Sequence, residues 1–164
     1  MTRLLLIAAA ALAFALPASA APVPTPPETP SGPDFLAKNG AAKGVVTTPS
    51  GLEYFVVKSG PATGAHPTAQ DSATFDYEVK LLNGTTIDSS YERGEPLTGR
   101  VGDFVPGFTE ALELMRPGDE WIVWVPPQLG YGAKDSGPIP GNSVLRFRLA
   151  LHGVTPAAAA SPAS

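Results

Sequence analysis

The chain has 164 residues, 43% hydrophobic and 16% charged, with a formal net charge of −4. That length accommodates one folded domain with tails, and the acidic balance argues against a nucleic-acid surface of clustered Lys and Arg. The complete lack of cysteine excludes a disulfide framework and lipid attachment through an N-terminal cysteine.

Residues 1–20 read as a secretory signal. Arg3 supplies the positive charge, Leu4 to Leu16 is an uninterrupted apolar run, Pro17 breaks it, and Ala18-Ser19-Ala20 fits a small-x-small cleavage site. As a helix, those 13 apolar residues span about 20 Å, short of the ~30 Å hydrocarbon core of a bilayer. The expectation is a mature protein that starts at Ala21, is periplasmic or secreted, and has no membrane anchor. Cleavage removes Arg3 and no acid, leaving 10 basic and 15 acidic residues, a net charge of −5.

Residues 21–50 read as a Pro-rich tether with a short helical lead-in. Pro22, Pro24, Pro26, Pro27, Pro30 and Pro33 keep the first part extended. Asp34 to Gly40 predicts a short helix, capped by Asp34 and closed by Gly40. Residues 154–164, all Ala, Pro and Ser after Val154 and Thr155, are too poor in large apolar groups to fold and read as a disordered tail.

Residues 51–153 predict one strand-rich domain. Leu52 to Lys58 follows the turn Pro49-Ser50-Gly51. Phe75, Tyr77, Val79 and Leu81 alternate with Asp76, Glu78 and Lys80, the pattern of a half-buried antiparallel strand. Asn83-Gly84 then signals a hairpin. Trp121, Val123 and Val125 alternate with Ile122 and Trp124; Leu145, Phe147, Leu149 and Leu151 alternate with Arg146, Arg148 and Ala150. One helix interrupts this pattern, from Pro106 to Met115, with Phe108, Ala111, Leu112 and Met115 on a single face. The predicted class is α+β, with a curved antiparallel β-sheet wrapped around one short amphipathic α-helix.

Three motifs stand out: Ile87-Asp88-Ser89-Ser90, Val105-Pro106-Gly107-Phe108-Thr109-Glu110-Ala111-Leu112, and Leu129-Gly130-Tyr131-Gly132. Taken singly, Tyr77, Phe108 and Phe147 read as core, and Asp88 and Tyr131 read as turn residues. As an ordered set over about 70 residues, completed by Phe147, they resemble the FKBP-type peptidyl-prolyl cis-trans isomerases. The lead-in from Phe35 to Gly60 resembles the macrophage-infectivity-potentiator type of that family, without its helical dimerisation arm.

The resemblance implies an FKBP-like domain that accelerates rotation of X-Pro bonds in exported proteins. It would do so through a dry aromatic pocket and transition-state stabilisation, without covalent chemistry, metal or cofactor. Tyr77, Asp88, Tyr131 and Phe147 match catalytic positions of the family. Ile87, Arg93, Phe104, Val105, Phe108 and Ile139 match substrate-binding positions. Asp88 matches a buried carboxylate, Arg93 its basic partner, and Tyr131 a phenol donor to the substrate carbonyl. Gly137-Pro138-Ile139-Pro140 matches a loop that leans over the site. Phe108 stands where the family usually has tryptophan, and Ile87 where it usually has phenylalanine. The implied partners are proline-containing unfolded or partly folded polypeptides and macrolide ligands, but no nucleic acid, and the absent arm implies a monomer.

Two alternatives stay open. One is an FKBP-like chaperone or binding module with weak or no turnover, motivated by Ile87 and Phe108; the other is a structural or adhesion domain with a vestigial pocket. Other chemistries find no support. His66 and His152 are separated and have no cysteine to complete a zinc set, and Ser89-Ser90 has no evident histidine partner. The sequon Asn83-Gly84-Thr85 coincides with the hairpin turn.

Overall fold

The structure is a computed structural model that describes residues 32–157. The segment read as a secretory signal, the Pro-rich stretch up to Ser31 and the end of the segment read as a tail lie outside the described residues. Three helices occur among them: α1 (Gly32–Gly40), α2 (Ser90–Arg93) and α3 (Pro106–Leu114). Seven strands accompany them: β1 (Val45–Thr47), β2 (Glu53–Lys58), β3 (Ser72–Leu81), β4 (Thr86–Ser89), β5 (Leu97–Arg100), β6 (Glu120–Val125) and β7 (Leu145–Thr155).

All seven strands join one antiparallel sheet in the order β1-β2-β6-β7-β3-β4, with β5 also paired to β3. β3 and β7 pair along their whole lengths, which places Tyr77 opposite Leu149 and Val79 opposite Phe147. The far edge of β3 is shared: β5 takes Ser72 to Phe75, and β4 takes Glu78 to Lys80. Register shifts interrupt the ladders at Thr74/Phe75, Val79/Lys80 and Val56/Lys58, and such bulges bend and twist a sheet.

The alternation read from the sequence becomes two faces. Phe75, Val79, Val123, Phe147, Leu149 and Leu151 are buried in one core with Phe108, Ala111 and Leu112 of α3 and with Met115, which caps it. Pro106 starts α3, where its missing N–H costs no helical bond. A Cβ on Gly107 would come within 2.6 Å of Val125 Cγ1, so glycine lets the helix start lie directly on β6. Removing a large side chain from such a core costs about 3–5 kcal/mol for Phe→Ala. On the opposite face, α1 packs through Phe35 on Trp124, with ring centroids 6.4 Å apart, and Asn39 donates to the buried Glu53 carboxylate at 2.7 Å.

The α+β class is as expected, but several boundaries differ. The sheet begins at Val45, inside the segment read as tether and lead-in, because β1 pairs with β2. It ends at Thr155, two residues into the segment read as tail, because Val154 and Thr155 pair with Ala73 and Ser72. α1 is already helical at Gly32, so Asp34 lies within its first turn and is not its cap. The β3–β4 hairpin forms at Asn83-Gly84, but as a three-residue loop. Leu81 pairs with Thr85 around Leu82, Asn83 and Gly84, and only Gly84, at φ 89°, takes the left-handed conformation.

Candidate functional site

A cavity of about 720 Å³ opens between β3, β4, the start of α3 and the loop after Tyr131. Its lining includes Tyr77, Ile87, Asp88, Phe104, Val105, Phe108, Tyr131, Ile139 and Phe147. Of the ten site residues expected from the sequence, all but Arg93 face this one space. Val79, Leu97, Asp103, Ser136, Gly137 and Pro138 complete it.

Period two puts Tyr77 and Val79 on the same side of β3, and Phe147 meets Val79 across the ladder. Phe108 reaches the same place from the first turn of α3. It stands edge to face with Phe147 at 5.1 Å and 72°, tilted to Phe104 at 4.9 Å and to Phe75 at 5.2 Å, and perpendicular to Tyr77 at 6.3 Å. Aromatic pairs favour such offset and edge-on contacts by about 0.5–1.5 kcal/mol beyond their burial. The result is a firm apolar floor with Phe108 at its centre, only 4% exposed.

One wall is polar. The Tyr77 hydroxyl donates to one oxygen of Asp88, and the Arg93 guanidinium holds the other. Arg93 Nη2 also donates to the Tyr77 oxygen at 3.0 Å, and the Ser89 amide donates to Asp88 at 2.8 Å. The Tyr77 hydrogen bond, with help from Ser89 and Arg93, outweighs burial and holds the Asp88 carboxyl below its ordinary value. Burial and the Asp88 bond push the Tyr77 phenol up. Both shifts favour one protonation state near neutrality, carboxylate and neutral phenol.

The structure corrects one expectation here. Asp88 is not a buried carboxylate: its side chain is 45% exposed, and that of Arg93 41%. β4 ends at Ser89 and the chain turns into α2, so the acid sits at the rim and its partner one helical turn away. Arg93 does not line the cavity but braces the pair that does.

α2 is itself anchored from behind. Ser90, fully buried, donates to Asp76 at 2.7 Å and accepts the Tyr77 amide at 2.9 Å. His152 Nε2 lies 2.7 Å from the other Asp76 oxygen. Serine and histidine thus both bind the aspartate, the hydroxyl is inaccessible, and no nucleophilic triad is assembled.

The mouth is formed by Tyr131, 47% exposed, and by the turn Ser136-Gly137-Pro138-Ile139. Two backbone bonds, of 2.8 and 3.0 Å, close that turn, with Gly137 at φ 55°. Ile139 is 5% exposed, so the turn pins a side chain into the cavity. Of the lining residues the sequence did not single out, Val79 had a signal, its two-residue spacing from Tyr77. Leu97 and Asp103 had none, because only the pairing of β5 with β3 and the following 3₁₀ turn bring them in.

Fold and site together define an α+β domain whose cavity has an aromatic floor and a charged hydrogen-bonded wall. A family model described as FKBP-type peptidyl-prolyl cis-trans isomerase matches residues 64–152, and one described as the domain amino terminal to it matches residues 27–56. The chain belongs to the FKBP-type peptidyl-prolyl cis-trans isomerase family. It is 42% identical over 128 residues to the outer membrane protein MIP of Legionella longbeachae, covering 77% of this chain and 54% of that protein. It is 43% identical over 121 residues to the peptidyl-prolyl cis-trans isomerase Mip of Coxiella burnetii, covering 73% of this chain and 52% of that protein. The crystal structure of FkpA from Escherichia coli superposes with a TM-score of 0.73 at 38% identity, covering 77% of this chain and 58% of that one. The chain thus spans about half the length of the curated relatives it matches.

Proposed function

We propose that this chain is a peptidyl-prolyl cis-trans isomerase acting on proline-containing polypeptides. The observation that carries the reading is the aromatic cluster around Phe108 facing the Tyr77–Asp88–Arg93 wall across one cavity of about 720 Å³.

The chemistry needs no reactive group. Rotation about a peptide bond faces ~18–20 kcal/mol because the C–N bond is partly double, and uncatalysed X-Pro isomerisation takes tens to hundreds of seconds. Resonance separates charge between carbonyl oxygen and nitrogen, and water stabilises that separation. A dry apolar cavity withdraws that support, and a site shaped to the twisted amide binds it better than the planar one. In this reading Phe108 is the floor for the proline ring, with Phe104, Val105, Ile87 and Phe147 as walls. Tyr131 donates to the substrate carbonyl, and Ile139 closes the space from above. Tyr77 and Asp88, braced by Arg93, fix the polar wall.

The substrates in this reading are exported chains, in keeping with the secretory pattern of residues 1–20. The protein works as a monomer, and macrolide ligands of the family compete for the same cavity. The test is the isomerisation rate of a panel of X-Pro peptides with purified protein. Acceleration above the uncatalysed rate, inhibited by a macrolide, is expected. Macrolide binding without acceleration would replace the enzyme with a binding module.

A further inference from the structure

We infer that Asp103 makes the site select polypeptides with a Lys or Arg beside the proline. The inference rests on the cavity being the prolyl site. Among the described residues, only two charged side chains line it, Asp88 and Asp103. The first is already neutralised, since Arg93 and Tyr77 occupy its two oxygens. The second is not: among the described residues the ion pairs join Lys80 to Glu78, Arg93 to Asp88, Arg148 to Glu120 and His152 to Asp76, and none includes Asp103.

The place of Asp103 gives that charge a use. It is the last residue of the 3₁₀ turn Val101–Asp103, exposed, and followed at once by Phe104 of the aromatic wall. An extended peptide advances about 3.3 Å per residue, so a proline on the floor has its neighbours near the rim. A cation there meets one uncompensated carboxylate, whereas an acid meets a like charge. The chain as a whole is acidic, with 15 acidic and 11 basic residues, so the wider field has the same sign.

The experiment measures kcat/KM for X-Pro peptides carrying Lys or Glu at each of the two residues on either side of proline. At one or more positions Lys should exceed Glu by about two- to fivefold at low salt, the scale of one exposed ion pair. The preference should shrink as salt rises above 0.1 M, where screening acts over about 10 Å. It should vanish in Asp103→Asn and reverse in Asp103→Lys; both changes sit at an exposed position and leave the core intact. Equal rates for Lys and Glu peptides, or a preference that survives Asp103→Asn, would overturn the inference. If no peptide is turned over, the isomerase reading fails, and NMR titration of the same peptide pairs then tests the preference as binding alone.

Discussion

The Tyr77 amide donates to the Ser90 hydroxyl at 2.9 Å, across the gap that β4 and β5 leave on the edge of β3. Neither strand reaches that position, so a side chain supplies the acceptor. Ser90 passes the link on to Asp76 at 2.7 Å, fastening α2 to the sheet. Ser90→Ala should cost about 1–3 kcal/mol, the penalty for leaving buried partners unpaired. Urea denaturation checks this; a loss within experimental error would mean that water or a neighbour takes over the acceptor role.

Asp76 also predicts an acid limit to stability. Burial pushes its carboxyl up, but hydrogen bonds from Ser90 and His152 and the nearby imidazole outweigh it, so the folded value lies below 3.8. Asp88 is depressed in the same direction, first by Tyr77. A depressed folded value means the unfolded chain binds the proton more readily. The contribution is therefore present above about pH 4 and disappears as pH falls through the folded values. Asp76→Asn should be less stable than the parent at pH 7 and show a shallower decline below pH 4 in thermal melts. An unchanged slope would mean that Asp76 does not couple protonation to folding.

Phe108→Ala should be the most damaging change at the site. The residue contacts four other rings and is 4% exposed, so its loss opens the floor and should cost about 3–5 kcal/mol of stability. Isomerase activity should fall furthest here even under conditions where the variant stays folded by circular dichroism. Full activity in a folded variant would remove Phe108 from the floor role.

Tyr131→Phe should act on rate alone. The residue is 47% exposed at the mouth, so stability should hardly change. Losing one hydrogen bond of about 0.5–1.5 kcal/mol corresponds to roughly a threefold to tenfold drop in kcat/KM. The parent should also show a nearly flat rate between pH 6 and 8, because Asp88 is held low and Tyr77 high. A bell-shaped profile in that range would point to general acid–base catalysis instead.

Asp88→Asn tests the wall directly. Because the carboxylate is half exposed, the fold should survive with a loss on the order of 1 kcal/mol, well below that of a buried charge pair. Burial still raises the Tyr77 phenol, but the carboxylate's contribution disappears, so its titration should move back toward 10.0. Spectrophotometric titration of the tyrosines reads this shift. No movement would mean that the Tyr77–Asp88 bond is not maintained in solution.

Much of this architecture is written locally. The two-residue alternation of Phe75, Tyr77 and Val79, and that of Phe147, Leu149 and Leu151, needs only the pleat of a strand to become a buried face. The spacing of Phe108, Ala111, Leu112 and Met115 needs only the pitch of a helix. Periodicity marked Tyr77, Phe108 and Phe147 only as apolar faces; that they share one cavity with Asp88 and Tyr131 was legible from the resemblance of the ordered motifs, and the cavity lining agrees with it. What the chain could not disclose depends on pairings between distant segments. β4 and β5 divide one edge of β3, which creates the gap that Ser90 fills and brings Leu97 and Asp103 to the rim. The exposure of Asp88 follows from where β4 stops and α2 turns away, the place of β1 from the edge of β2 that accepts another strand, and the places of Val154 and Thr155 from β7 running on beside the start of β3. Local periodicity chooses which side of an element is apolar; only tertiary closure decides which polar groups meet across it, because hydrogen bonds and ion pairs depend on distances of a few ångströms between residues far apart in the chain.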